Sequence, residues 1–199
     1  PFLRPARELL MTLDKSAAQH PTAYAANSSA VAARIAEYWD REAAVIHPPV
    51  DVDFYRPTTP GELTPHEELP FDTYLLGVSR FVPYKRLETV IAVGEQLGIP
   101  VVLAGSGPDE DRLRARATRS SVPVRIETSP SDIRLRALYQ GAACFVFPAV
   151  EDFGIVMVEA QACGTPVAAP AAGGALDIVQ PEIGGVLAPS SAVADLTAW

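Results

Sequence analysis

The sequence predicts an α/β fold, a doubly wound and mostly parallel sheet of Rossmann-like type. Two observations carry this. From Asp72 onward, short apolar runs alternate with helical stretches of ten residues or more, the alternation that joins parallel strands by crossover helices. The apolar runs are also continuous rather than alternating with polar residues, as in strands covered on both faces.

The elements follow in order. Residues 1–20 mix Leu, Ala and Arg at roughly helical spacing, and "TAYAANSS" reads as a short strand. Asn27, Ser28 or Ser29 suits the N-cap of a helix in "AVAARIAEYWDR", with Val31, Ile35 and Tyr38 on one face. Ala44 to His47 forms a strand that Pro48-Pro49 ends. Residues 57–70, rich in Pro and Thr, read as an exposed loop. Then come the strand "TYLLGVS" and the helix "KRLETVIAVGEQLG", with Leu87, Ile91 and Leu97 near one face. The strand "PVVLAG", the turn "GSGPDED" and the helix "DRLRARATR" follow. Next are the strand "VPVRIET" and the helix "SDIRLRALYQGA", capped by Ser131. "ACFVFP" is a strand and "GIVMVEAQAC" a helix held on the sheet by Ile155, Val158 and Ala162. "PVAAP", "GALDIVQ" and "GGVLA" give strand, short helix and strand. Pro1 is an unusual start and "SAVADLTAW" reads as the opening of a helix, so the chain is expected to be a piece of something longer.

Among 199 residues, 48% are hydrophobic and 20% charged, which places the chain with soluble globular proteins. The formal net charge of -8 argues against a nucleic-acid binder and against a polybasic membrane contact, while leaving room for a local basic pocket. Cys144 and Cys163 lie in apolar runs and are expected to be buried thiols rather than a disulfide. There is no signal peptide and no apolar run long enough to cross a bilayer, so a cytoplasmic location is expected. A peripheral membrane contact of the full-length protein stays open. His20, His47 and His66 form no ligand spacing, and no metal site is expected. No Ser/His/Asp set appears.

In such a fold a ligand sits beyond the carboxyl ends of the strands, near the switch in strand order. Four stretches fall there. In "VSRFVPYKR", Arg80 follows a strand and Lys85 lies near the next helix start. Two cations beside a helix N-terminus suit a diphosphate, although solvated surface charges are the alternative. Arg86 is assigned to the surface. In "AGSGPDEDRL", Gly105 and Gly107 allow a tight turn, but the full dinucleotide fingerprint is missing and three acids crowd the helix start. That turn is read as mainly structural. The third stretch, "EDFGIVMVEAQACGTPV", sets Glu151 in a loop past a strand end. Gly154, Ile155 and Val156 then open a helix with free N–H groups, and Glu159 lies ~7.5 Å further along that helix. A buried carboxylate needs donors, and a vicinal diol supplies two. The bland alternatives are a surface acid on the outer side of the helix for Glu159 and a plain loop acid for Glu151, and a glycosidase-like acid/base pair is a weaker reading. The fourth stretch, with Gly173-Gly174, is another backbone-donor turn.

These stretches resemble the retaining nucleotide-sugar glycosyltransferases of family four, which have the GT-B fold. "EDFGIVMVE" is similar to the family's Glu, seven residues, Glu motif. "ANSSAVAARI", "VIHPPVD", "VSRFVPYKR", "LAGSGPDEDRL", "ALYQGAACFVFPA" and "ACGTPVAAPAAGGALDIV" support it in order. The resemblance covers about 22–199. It implies a remnant of an N-terminal domain and linker helix over 1–42 and a donor-binding Rossmann-like domain over 43–199, without the family's final helix. It implies that Arg80 and Lys85 bind the donor diphosphate and that Glu151 holds sugar hydroxyls. Phe153, Gly154 and Ile155 would offer backbone contacts, Glu159 would accept from the ribose, and Thr128 and Ser129 would meet the base. Arg80, Lys85 and Glu151 would act in catalysis. The implied reaction transfers a hexose with retention to a glycan or lipid-linked acceptor, without a cofactor or an obligatory metal. The acceptor would be held by the N-terminal domain. "DVDFY", "VPYKR" and "EDFGIVMVEA" look like bacterial mannosyltransferases of polysaccharide synthesis, so GDP-mannose is the favoured donor over a UDP-hexose. Thr128-Ser129-Pro130 departs from the Gly-bearing turn of many relatives, which leaves the base open. The alternatives are a nucleotide-sugar epimerase or hydrolase on the same fold and a non-catalytic nucleotide-sugar-binding module.

Overall fold

A computed structural model describes residues 3–59 and 69–198. The loop expected over 57–70 lies partly, and His66 wholly, outside them. The chain divides into two compact units, Pro1–Pro48 and Pro49–Trp199.

The first unit holds α1 (Leu3–Ala17), β1 (Ala25–Ala26), α2 (Ser29–Trp39) and β2 (Ala44–Val45). The cap of α2 is Ser28, whose buried hydroxyl accepts from the Val31 N–H at 3.2 Å and satisfies one donor of the first turn. On the expected face only Ile35 is buried, while Tyr38 is exposed. The Arg41 guanidinium lies 5.3 Å from the centre of the Tyr24 ring and donates to the carbonyls of Ala18 and Pro21. β2 pairs in parallel with β1, and the first unit runs through Pro48.

The second unit runs β3 (Leu75–Val78), α3 (Leu87–Leu97), β4 (Val101–Gly105), α4 (Glu110–Ala117), β5 (Val124–Thr128) and α5 (Asp132–Gly141). It continues with β6 (Cys144–Val146), α6 (Ile155–Ala162), β7 (Val167–Pro170), α7 (Ala175–Ile178), β8 (Gly185–Ala188) and α8 (Val193–Leu196). The strands form one sheet in the order β5-β4-β3-β6-β7-β8, and every pair is parallel. The chain winds outward from β3 to β5, crosses back through α5, and winds outward the other way from β6. The switch point therefore lies between β3 and β6.

Alternate residues of β3, β4, β6, β7 and β8 enter opposite cores, while edge strand β5 gives only Val124 and Ile126 to one of them. Tyr74, Leu76 and Val78 face Leu138 and Tyr139 of α5 and Met157 and Ala160 of α6. Leu75 faces the other core with Leu87, Val90 and Ile91 of α3, Leu113 of α4 and Leu196 of α8. Helices thus cover both faces, and the doubly wound sheet expected from the sequence is present. Continuous apolar runs are its cause in the central strands β3, β4, β6 and β7, where both faces are buried.

Two helix faces differ from expectation. In α3 the buried residues are Leu87, Thr89, Val90, Ile91, Val93 and Gly94, and Leu97 is 37% exposed. In α6 they are Met157 and Ala160, with Ile155 41% exposed and Val158 and Ala162 only half-buried. A helix that is apolar nearly all round gives periodicity nothing to choose between, so contact with β6 and β7 selects the face.

Candidate functional site

The loop after β3 is fixed by its neighbour on the sheet. Phe81 is fully buried, its N–H donates to the Ser106 carbonyl at 2.8 Å, and its own carbonyl accepts from the Asp109 N–H at 2.9 Å. A Cβ on Gly105 would stand 1.9 Å from the Ser79 oxygen, and one on Gly107 2.5 Å from the Phe81 oxygen. The Gly-Ser-Gly turn therefore exists to let two backbones pass closely. Beyond Phe81, residues Pro83–Lys85 make a single 3-10 turn, Arg86 takes a left-handed φ of 54°, and α3 starts at Leu87. Lys85 is thus set just before the helix rather than within its first turn.

The loop after β6 is fixed in the same way from the other side. Phe147, Ala149 and Phe153 are buried. The Gly174 N–H donates to the Glu151 carbonyl at 2.8 Å, and a Cβ on Gly174 would lie 2.3 Å from the Phe153 oxygen. The Gly173-Gly174 turn thus spends a backbone donor on bracing the loop. Gly154, with φ 95°, is the N-cap of α6, which opens without a side-chain cap and directs its N-terminus at the switch point.

At that point Lys85 and Glu151, 66 residues apart in the chain, form an ion pair. Lys85 is only 7% exposed, an unusual burial for a lysine. Its ammonium lies 5.8 Å from the centre of the Phe147 ring and 5.2 Å from that of Tyr84. Burial, and then the Arg80 cation, pull the Lys85 pKa below its ordinary value. Arg80 is exposed and donates to the Tyr84 hydroxyl at 3.2 Å. Arg86 is exposed and donates to Ser191.

Glu159 belongs to a different group. It is half-buried on α6 and accepts from the Tyr139 hydroxyl of α5 at 3.0 Å. Burial raises its pKa, the Tyr139 hydrogen bond opposes this, and Asp132 adds to the rise. Tyr139 is fully buried, and burial and Glu159 hold its hydroxyl far above the ordinary phenol value, so it remains a donor. Thr165, in the Gly-Thr-Pro turn, donates to the Tyr139 carbonyl. Tyr55 packs edge-on against Tyr139 with ring centres 6.1 Å apart, and its pKa is pushed up to about 12 by burial and by Glu159. Burial also pushes Cys144 to about 12 and Cys163 to about 11, and both thiols are free.

Thr128 and Ser129 stand at the carboxyl end of β5, an edge strand two positions from β3 and roughly 10 Å away across the sheet. The Thr128 hydroxyl donates to Glu110 at 2.9 Å and accepts from Arg114. The Ser129 N–H donates to the Gly105 carbonyl at 2.9 Å.

Of the residues singled out in the sequence, the fold brings Lys85 and Glu151 into contact, with Arg80 beside them and Phe153, Gly154 and Ile155 at the adjoining helix start. Tyr139, Tyr84 and Phe147 were missed, because each sits in an ordinary apolar stretch and only tertiary contact gives it a role. Among the described residues no group of His, Cys, Asp and Glu could hold a metal ion, and no helix is long and apolar enough to cross a membrane.

The folded domain matches GT-B glycosyltransferase structures. Sucrose-phosphate synthase from Thermosynechococcus elongatus superposes with a TM-score of 0.80 at 24% identity, over 96% of this chain and 51% of that one. HepE from Anabaena, solved with UDP and glucose, superposes with a TM-score of 0.79 at 23% identity, over 94% and 55%. At such identities the likeness concerns the fold alone. In sequence, the chain is 36% identical over 154 residues to D-inositol 3-phosphate glycosyltransferase of Mycobacterium avium, covering 72% of this chain and 36% of that protein. The protein of the same name from Mycolicibacterium paratuberculosis is also 36% identical, over 72% and 35%. The chain therefore spans about a third of the length of these curated relatives. The family model of the glycosyl transferases group 1 matches residues 65–198, the whole stretch from before β3 through α8, and the chain belongs to that family.

Proposed function

We propose that this chain carries the donor-binding part of a family-four hexosyltransferase acting on a nucleotide-sugar with retention of configuration. The observation that supports it best is the meeting of Lys85 and Glu151 at the switch point of a group 1 glycosyltransferase domain. Arg80 and Lys85 would take the diphosphate. Their fixed positive charge stabilises the negative charge that grows on the nucleotide as the sugar leaves. The N-terminus of α6 adds the dipole of its first turn. Glu151 would accept from sugar hydroxyls and Glu159 from the ribose, where an ionised carboxylate meets two donors. Because the Thr128 hydroxyl is engaged by Glu110 and Arg114, the Ser129 side chain is the better base contact of the two. The cations do the work of a divalent ion in this reading, so nucleotide affinity should be unchanged by EDTA.

On the sequence motifs the donor is GDP-mannose, passed to a glycan or lipid-linked acceptor. UDP is a second reading, favoured by neighbours solved with UDP and with UDP-glucose. Calorimetry of the chain with GDP and with UDP separates the two. We expect one of them to bind in the micromolar to millimolar range. Glu159→Ala, or Arg80→Ala combined with Lys85→Ala, should weaken it at least tenfold, about 1.4 kcal/mol or more. Absence of binding by either nucleotide at millimolar concentration would remove the donor-site reading. Turnover of nucleotide-sugar without acceptor would favour a hydrolase or epimerase.

A further inference from the structure

The two charged groups that the donor reading assigns to different parts of the donor are bound to each other. On the donor reading Lys85 would take the diphosphate and Glu151 the sugar, yet their side chains form one ion pair, with the lysine buried against Phe147 and Tyr84. Each backbone is clamped. Asp109, Gly105 and Gly107 hold the lysine loop through Phe81 and Ser79, and Gly174 holds the Glu151 carbonyl. The side chains are therefore freer than the loop backbones to respond to a ligand.

We propose that the Lys85–Glu151 pair is a charge latch that makes the site discriminate a sugar-bearing nucleotide from the free nucleoside diphosphate. The inference rests on the donor-site reading above. A diphosphate that draws Lys85 away leaves Glu151 half-buried, without its cation and close to a second anion, which is costly. A nucleotide-sugar supplies hydroxyl donors to Glu151 at the moment its lysine leaves, so both partners are satisfied. Once the sugar has gone, the nucleoside diphosphate remaining in the site is the less favoured ligand, and closure of the latch favours its release.

The test compares the full chain with its Glu151→Gln variant. The titrants are GDP and GDP-mannose, UDP and UDP-glucose, and inorganic pyrophosphate. Glutamine keeps the shape but competes little for Lys85 and does not repel phosphate. The variant should bind the preferred nucleoside diphosphate and pyrophosphate about five- to tenfold more tightly than the wild type, while gaining nothing for the nucleotide-sugar. Repeating Glu151→Gln on a Lys85→Gln background separates the latch from plain repulsion. Repulsion survives loss of the lysine, whereas the gain from opening the latch should fall to less than half. An equal gain in both backgrounds, or an equal gain for nucleotide and nucleotide-sugar, would overturn the latch while leaving the donor site intact. Binding of none of these ligands by the wild type would sink the donor reading itself, and the latch with it.

Discussion

Lys85 shows how far a single residue's meaning depends on what surrounds it. A lysine after a strand is usually a solvated charge, but this one is buried, with its pKa drawn down by burial and by Arg80 and its charge matched by Glu151. Glu159 is the complementary case, an acid whose pKa lies above its ordinary value of 4.5 because burial outweighs the Tyr139 hydrogen bond. For a carboxyl with a raised folded pKa, its contribution to stability is fully present below the unfolded value and is lost as pH rises through the folded one. Denaturant midpoints of wild type and Glu159→Gln should therefore diverge in favour of glutamine as pH rises above the ordinary carboxyl value of 4.5. Glu127, Glu95 and Asp109, whose pKa values are lowered chiefly by hydrogen bonds from Arg134, Arg116 and Arg112, titrate in both proteins and cancel. Tyr139→Phe removes the donor. It should lower stability at neutral pH by about 1–2 kcal/mol and move the Glu159 window upward, both readable from the same denaturation series.

At the scale of elements, the site is braced by glycine turns from neighbouring strands. Gly105 and Gly174 lie on strands and turns either side of β3 and β6, and each lets a neighbouring loop approach closer than a Cβ allows. Gly174→Ala tests this without backbone strain, because φ at that residue is -67° and only the contact with Phe153 is at stake. It should cost about 2–3 kcal/mol and lower nucleotide affinity together with stability, measured by chemical denaturation and calorimetry. Gly154→Ala differs. The added carbon meets the mobile end of the Met157 side chain at 2.4 Å, so the cost comes mainly from φ 95° and should be nearer 1 kcal/mol. Sequence spacing showed that these glycines sit in strand-to-helix turns. It could not show which carry a ligand and which brace a neighbour, because the answer lies in another strand's loop.

For the whole molecule, the order β5-β4-β3-β6-β7-β8 puts the reversal of winding between the two strands whose loops hold Arg80, Lys85 and Glu151. A ligand bound there touches both halves of the second unit and should stabilise it as one body. At a nucleotide concentration of 100 times Kd the gain is about 2.7 kcal/mol, which should raise the Tm of that unit by roughly 5–10 °C. The Arg80→Ala, Lys85→Ala double variant should show at most a small part of the shift.

The sequence by itself determined the alternation of strands and helices, the burial of both sheet faces, a helix cap within Asn27–Ser29, and the positions of Arg80, Lys85, Glu151 and Glu159 at strand ends or on the following helix. All of these are local or periodic signals, written within a few residues of one another. Tertiary structure alone decided that Met157 and Ala160 rather than Ile155 and Val158 face the core, that Tyr139 meets Glu159, and that Lys85 is neutralised by a carboxylate 66 positions away. The physical reason is the same in each case. A contact across the sheet depends on which strands become neighbours, and strand order leaves no trace in the spacing of any one segment.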